Sequence, residues 1–290
     1  TIEDVNGDSD TETVTVTIEG TNDAPILTVT NLAADEDGAS VIGTPTFVDV
    51  DTTNTHSYTV TPMAAGQGSV AIVALTGEYT YNPGSDFQNL ADGETTTVSF
   101  DVTIEDVNGD SDTETVTVTI KGTNDGPVAQ ADSFTGTEDI SLSGNLLVDN
   151  GAGADSDVDS DAVLSVQPGT LTSANGGTVT LQGNGDFTYS PMADFNGSDS
   201  FDYTLVDNHS ETDTATASIA VNAVNDAPVA SNDTTSTDED TAININVLAN
   251  DSDVDSTMLS ASVGPTSSQC STLSVIVDGT ITYIPSVSAH

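Results

Sequence analysis

The sequence is nearly devoid of positive charge: a single basic residue, Lys121, faces 47 aspartates and glutamates over 290 residues, for a formal net charge of −46. Nucleic-acid binding needs cationic side chains to neutralise phosphates, and an anionic membrane surface would repel this molecule, so neither is an expected partner. Cysteine occurs once, at Cys270, which excludes an internal disulfide framework and a cysteine-based zinc site. Tryptophan is absent, and the three histidines, His56, His209 and His290, stand far apart and are expected to be ordinary surface side chains. No run approaches the ~18 apolar residues that span a bilayer, and no signal peptide opens the sequence, so any export signal and anchor are expected outside this stretch. There is no G-x-S-x-G elbow, phosphate loop or histidine cluster, and neither a catalytic residue nor an enzymatic activity is expected.

Disorder fits poorly with what remains. Hydrophobic residues make up 35% of the chain, the mean hydropathy is only −0.13, and apolar residues alternate with Thr and Ser over long runs. Val14, Val16, Ile18 and Val98, Phe100, Val102, Ile104 have the period of two that puts one strand face on a core and the other in solvent. Helical spacing is missing, and Gly, Asn and Asp clusters punctuate the runs. An all-β fold of antiparallel β-sandwiches follows, with roughly seven strands in ~100 residues.

Repetition sets the domain map. Residues 1–24, TIEDVNGDSDTETVTVTIEGTNDA, recur at 103–126 with changes only at Glu19/Lys121 and Ala24/Gly126, and a diverged copy runs from Thr204 to Ala227. The prolines that close these copies, Pro25, Pro127 and Pro228, are 102 and 101 residues apart. GEYTYNP, GDFTYSP and GTITYIP, starting at Gly77, Gly185 and Gly279, repeat with a similar period. The expected organisation is a terminal strand of a preceding sandwich at 1–24, complete sandwiches at 25–124 and 125–226, and an incomplete one at 227–290. In the repeat frame the chain ends about where it begins. The expectation is a fragment of a longer chain; the alternative is head-to-tail self-assembly, with strand 11–20 of one molecule completing the open sandwich of another.

The acidic residues hold fixed positions in this frame. Glu36, Glu138 and Glu239 each follow their proline by 11 residues, and Asp37, Asp139 and Asp240 follow it by 12. The linkers carry Asn22-Asp23, Asn124-Asp125 and Asn225-Asp226; Asp-Val-Asp triplets supply Asp49/Asp51, Asp157/Asp159 and Asp253/Asp255. The hairpin before the last strand contributes Asp106 and Asp207, and a turn before the penultimate strand holds Asp86/Asp92 or Asp194/Asp199. Sandwich topology is expected to gather Asn124, Asp125, Asp157, Asp159 and Asp207, with Glu36 and the Asp86/Asp92 turn reaching the same place. Carboxylates 4 Å apart repel by about 1 kcal/mol per pair even in water. A cation is therefore expected, and calcium suits a set of carboxylate, carbonyl and amide oxygens better than magnesium or zinc. The candidate ligands are Asn22, Asp23, Glu36, Asp49, Asp51, Asp106, Asn124, Asp125, Glu138, Asp157, Asp159, Asp207, Asn225, Asp226, Asp253 and Asp255. Asp-x-Asn-Gly-Asp-x-Asp at 4–10 is not an EF-hand loop, because its glycine is misplaced and the twelfth-position Glu is missing.

At these residues the sequence resembles known families. Gly77 to Asp125, with GEYTYNP and NLADGETTTVSFDVTIEDVNGDSDTETVTVTIKGTND, resembles the VCBS repeats of large bacterial surface proteins. Residues 127–226, with TEDISLSGNLLVDN, DSDVDSD and NAVNDAP, and 228–285 are similar to the bacterial cadherin-like repeats of RTX-type adhesins. NDAP and Asp-Val-Asp are similar to the linker and Asp-x-Asp motifs of cadherins proper, whose Asp-Arg-Glu motif has no counterpart here. The resemblance implies immunoglobulin/cadherin-like sandwiches in an extended rod, calcium between neighbouring repeats, a secreted protein at the bacterial cell surface, and a role in extending an adhesive tip, in cell contact or in biofilm. Rival readings are a calcium-dependent module for a glycan or cell-surface protein, and a filament or surface-layer subunit. Against the glycan reading, the aromatics at 79, 81, 187, 189, 201 and 203 fall in strands and are expected in the core.

Overall fold

The computed structural model describes residues 1–264, 270–275 and 279–285. Cys270 begins a strand there, and His290 lies outside the described residues. The chain divides into two compact units. The first holds residues 1–127 together with 156–164 and 207–211; the second holds 128–155, 165–206 and the described residues beyond 211.

The first unit contains a sandwich whose larger sheet runs in the order Leu32–Asp35, Ser111–Lys121, Thr95–Asp106, His56–Val60. The facing sheet is Val41–Gly43, Tyr79–Asn82, Ser69–Ile72, with Ile26–Thr28 paired to Thr46–Val48 beside it. The second unit repeats the plan. One sheet is Asp132–Thr137, Thr212–Asn222, Gly197–Val206, Ser165–Val166, and the other is Leu142–Asn145, Asp186–Ser190, Thr178–Leu181, Gly169–Thr172. A further three-stranded sheet, Ile243–Asn246, Thr280–Pro285, Cys270–Val275, lies in the last repeat.

One pairing in each sandwich departs from the antiparallel expectation. Leu32–Asp35 runs parallel to Ser111–Lys121, and Asp132–Thr137 runs parallel to Thr212–Asn222. An early strand thus lies beside the last one and travels with it to the same end of the sandwich.

Alternation builds both cores. Val102, Ile104, Val116, Val118 and Ile120 are fully buried from one sheet of the first sandwich, and Tyr79 and Tyr81 from the other. Phe187, Tyr189, Phe201, Tyr203, Ile219 and Val221 fill the corresponding places in the second. The GEYTYNP motif acquires a physical meaning here. Its glycine turns the chain with positive φ, at Gly77, Gly185 and Gly279, and in the first two copies the two aromatic positions that follow point inward. None of the six strand aromatics named above is exposed, which leaves them unavailable for stacking on a sugar.

The hairpin loops that carry Asp4, Asp106 and Asp207 share one construction. The Oδ1 atom of each aspartate accepts amides two and four residues on, at 2.8–2.9 Å. The third position after each aspartate has positive φ, at Gly7, Gly109 and Ser210. A side chain in that region costs about 1 kcal/mol, and nothing stands within 4 Å of a Cβ added at Gly109. Gly109→Ser is therefore expected to lower stability and Ser210→Gly to raise it, each by roughly half a kcal/mol, since the greater unfolded-state entropy of glycine offsets part of the strain. Thermal unfolding of the two variants checks the opposite signs.

Candidate metal centres

The parallel pairing sets up the first centre. The Glu36 amide donates to the Lys121 carbonyl at 3.0 Å, which continues the ladder one step beyond Asp35. The Glu36 side chain thereby lies alongside the chain that leaves the sandwich, where its Oε1 accepts the Thr123 amide at 2.7 Å. Two residues further on, the Asp125 amide donates to Asp159 Oδ2 at 3.0 Å, and the Asp159 amide to Asp157 Oδ1 at 3.0 Å. Asn124 reaches Asp207 Oδ2 at 2.9 Å. One carboxylate oxygen from each of Glu36, Asp125 and Asp159 lies within 4.8 Å of the others.

The burial is severe for charged groups. Glu36 is fully buried and Asp159 is 7% exposed, and Glu36 Oε2, Asp125 Oδ2, Asp157 Oδ2 and Asp159 Oδ1 are buried with no hydrogen-bond partner. Burial first, then Asp125, Asp37 and Asp159, pushes the Glu36 carboxyl above its ordinary range. Asp125 is raised by burial and by Asp37, Asp159 and Asp157, and Asp159 by burial and by Asp157 and Asp161. Each orphaned oxygen costs about 1–3 kcal/mol unless something positive occupies its lone pairs. Hard anionic oxygens converging within a few ångströms are the donor set that a divalent cation such as calcium takes, so the residues fit the ion.

The second unit contains a related arrangement. The Glu138 amide donates to the Asn222 carbonyl at 3.0 Å, and the glutamate accepts the Val224 amide and, at 3.1 Å, Asn196 Nδ2. The Asp226 amide donates to Asp255 Oδ2 at 2.6 Å, the Asp255 amide to Asp253 Oδ1 at 2.9 Å, and Asn225 Nδ2 to the Asp226 carbonyl at 2.7 Å. Two carboxylate triads meet here, Glu138/Asp226/Asp255 and Asp139/Asp194/Asp226. Asp226 Oδ2 has no partner, and burial followed by Asp139, Asp255, Asp194 and Glu138 raises its carboxyl.

The first linker copy is arranged differently, as a polar network closed on itself. Asn22 donates to Asp106 Oδ2 and Asp110 Oδ2, both at 2.7 Å, and the Asp23 amide donates to Asp51 Oδ2 at 2.8 Å. The Asp51 amide donates to Asp49 Oδ1 at 2.7 Å, while Asp49 Oδ2 meets His56 Nε2 at 2.7 Å. His56 is therefore not the ordinary surface side chain expected of it: its side chain is 9% exposed and occupied by Asp49.

Two expectations for the turn before the penultimate strand fail. Asp86 does not join Glu36; its Oδ2 accepts the Gly68 amide at 2.8 Å, and Asp92 is exposed. The reason is local conformation: positive φ falls on Phe87 in the first sandwich and on Asp194 at the equivalent turn of the second, where the aspartate does reach the centre. Asp199 also points elsewhere, into the core, where it accepts hydrogen bonds from Ser173, Tyr189 at 2.7 Å and two backbone amides. Burial opposes its charge, yet those bonds hold its carboxyl below the ordinary range. Asp139 and Asp194 were absent from the candidate ligands. The repetition of Asp one position after the glutamate was the available signal for Asp139.

With this geometry in view, the chain can be set beside known proteins. A model of the bacterial cadherin-like domain matches residues 22–122, 124–223 and 225–290, and the chain belongs to that family. No curated protein matches it. Among solved structures it is similar to Protocadherin Gamma B2 extracellular cadherin domains 1-5, with 15% identity, a TM-score of 0.52, and coverage of 91% of this chain and 54% of that one. It is also similar to Protocadherin Gamma B7 extracellular cadherin domains 1-4, with 16% identity, a TM-score of 0.51, and coverage of 89% and 66%. Mouse Cadherin-23 EC22-24 has 17% identity, a TM-score of 0.51, and coverage of 91% and 89%. The chain spans about half to two thirds of the length of the first of the structures it matches. At these identities the likeness is one of fold: tandem cadherin-like β-sandwiches.

The raised carboxyls fix the sign of a pH dependence in metal-free protein. A carboxyl whose folded value exceeds its unfolded value binds its proton more readily when folded, so stability falls as pH rises through that window. Asp4, Asp106, Asp207 and Asp213 are lowered and lose their contribution only at more acidic pH. In EGTA the melting temperature is expected to rise as pH drops from neutral toward the ordinary carboxylate range, then fall within it. Calorimetry across pH checks the maximum.

Proposed function

We propose that this chain is a calcium-stiffened extender region of a secreted bacterial surface adhesin, one that projects an adhesive tip or mediates cell contact and biofilm. Membership of the bacterial cadherin-like family and the tandem sandwiches support an extracellular adhesion module without catalytic chemistry. The likeness of 77–125 to VCBS repeats, and of the later repeats to those of RTX-type adhesins, supports the bacterial surface. The observation that carries the calcium reading is the set of buried, partnerless carboxylate oxygens on Glu36, Asp125, Asp157 and Asp159.

In this reading Glu36, Asp125, Asp157 and Asp159 hold calcium, with Asn124 and Asp207 orienting the linker. Glu138, Asp226, Asp253 and Asp255 do the same in the next repeat, with Asn225 at its linker and Asp139 and Asp194 added. Asn22, Asp23, Asp49, Asp51 and Asp106 are the matching set at the first linker. Bound calcium supplies the positive charge that the chain lacks. Without it the carboxylates repel and the linker segments loosen. A ligand that binds only the folded state stabilises it by about 2.7 kcal/mol at a hundredfold excess over Kd.

Glu36→Gln tests this through a change of sign. In EGTA the amide removes a buried charge and supplies donors to its acidic neighbours, so the variant is expected to exceed wild type in stability by about 1 kcal/mol. In millimolar calcium it is expected to be the less stable protein, with a smaller gain on calcium addition. Melting curves read this, and small-angle scattering should show the wild type stiffening in calcium. An unchanged melting temperature and unchanged scattering on moving from EGTA to calcium would reject the reading.

A further inference from the structure

Within the second unit a different acidic feature involves none of the linker carboxylates. Asp132 is 2% exposed; its Oδ1 accepts Asn150 Nδ2 at 3.0 Å, and its Oδ2 is buried without a partner. Asp155 is partly buried. Its Oδ1 accepts the Gln130 amide at 2.7 Å, and its two oxygens lie 3.2 and 3.3 Å from the Tyr203 hydroxyl. That hydroxyl lies near both carboxyls, and after burial they are what pushes its ionisation up. It also donates to the Gln130 carbonyl, at 2.8 Å.

Counting protons exposes the deficit. A phenol has one to give. When that proton satisfies the Gln130 carbonyl, the hydroxyl has none left for either carboxylate, and Asp132 Oδ2 is left without a hydrogen-bond partner. Asp213, on the last strand of the sandwich, adds further negative charge near Asp155, and its own oxygens are engaged with the Ala129 and Thr214 amides. Among the described residues of the second unit there is no Lys, Arg or His to neutralise the cluster, and Lys121, His56 and His209 belong to the first unit.

The first sandwich gives an internal control. Thr30 follows Pro25 by five residues as Asp132 follows Pro127; Phe47 precedes Asp49 by two as Asp155 precedes Asp157; Val102 precedes Asp106 by four as Tyr203 precedes Asp207. All three polar groups are replaced together, two of them by apolar side chains. The last repeat retains Asp233 and Asp251 at these positions, and the Ser231 amide donates to Asp251 at 2.7 Å as the Gln130 amide does to Asp155. Carboxylates that come and go as a group, converging on a buried vacant oxygen, indicate a shared ligand rather than solubilising surface charge.

We infer that the carboxylates of Asp132 and Asp155, the Tyr203 hydroxyl and the Gln130 carbonyl form an intradomain site for one hard cation, with calcium the divalent choice. Two carboxylates, a carbonyl and a phenol are all hard oxygens, as such an ion requires. Its role is to tie the 149–155 loop to strands Asp132–Thr137 and Gly197–Val206.

The test uses the full chain in calcium, counting bound ions by native mass spectrometry and reading tyrosine-sensitised terbium emission. Asp132→Asn is expected to bind one ion fewer than wild type. Tyr203→Phe is expected to lose most of the sensitised emission, because the phenol that would ligate this ion is replaced by a poor sensitiser. Asp125→Asn serves as the counterpart, losing ions at the linker while keeping the Asp132 ion and its emission, so the two readings fail separately. The inference is overturned by an unchanged ion count in folded Asp132→Asn, with a higher melting temperature in both calcium and EGTA, the signature of a carboxyl that holds only a proton. Should Asp132→Asn fail to fold, wild-type emission from folded Tyr203→Phe overturns it equally.

Discussion

Mutual repulsion of carboxylates is the constraint on which this structure depends. With one Lys against 47 acidic residues, the chain has almost no means of neutralising an acidic cluster by an ordinary ion pair. Some of its aspartates escape the problem by accepting backbone amides. Asp4, Asp106 and Asp207 each draw several backbone N–H groups from their hairpins, which makes the charge part of the turn. Glu36, Asp125, Asp157 and Asp159 cannot escape in that way, since each keeps an oxygen that no donor reaches. The difference separates acids that build loops from acids that converge on a common point.

Backbone hydrogen bonding creates that convergence. The Glu36 and Glu138 amides extend their parallel ladders by one bond each, at 3.0 Å, and so carry a glutamate to the place where the chain leaves the sandwich. The Asn-Asp dipeptide follows within a few residues, and the Asp125 and Asp226 amides clasp the last aspartate of Asp-Val-Asp. Fold and charge are therefore coupled. The pairing that closes the larger sheet also positions the most deeply buried acid.

Much of this was legible in the sequence because it repeats. Fixed offsets from the prolines identified Glu36 and Glu138, and period-two alternation identified Val98, Phe100, Val102 and Ile104 as one buried face. Other features depend on contacts that no local pattern records. Residues 11–18 have the same sequence as 113–120, yet Val14, Val16 and Ile18 are 84%, 75% and 89% exposed, whereas Val116, Val118 and Ile120 are fully buried. A strand needs a neighbour, and alternation states only which face it would offer. Asp86 and Asp194 occupy the same turn by sequence, but a shift of positive φ by one residue sends one to Gly68 and the other to Asp226. The parallel pairs were equally invisible, because alternation is the same for either strand direction.

Those parallel pairs have a mechanical consequence. When a sandwich is pulled by its two ends, strands lying side by side in the same direction are dragged past one another lengthwise. The ladder from Val118↔Leu32 to Lys121↔Asp35, and the longer one from Asp132↔Ala217 to Thr137↔Asn222, would then carry the load across all their rungs at once instead of peeling open singly. Tension along the chain would then load each ladder beside the clustered carboxylates.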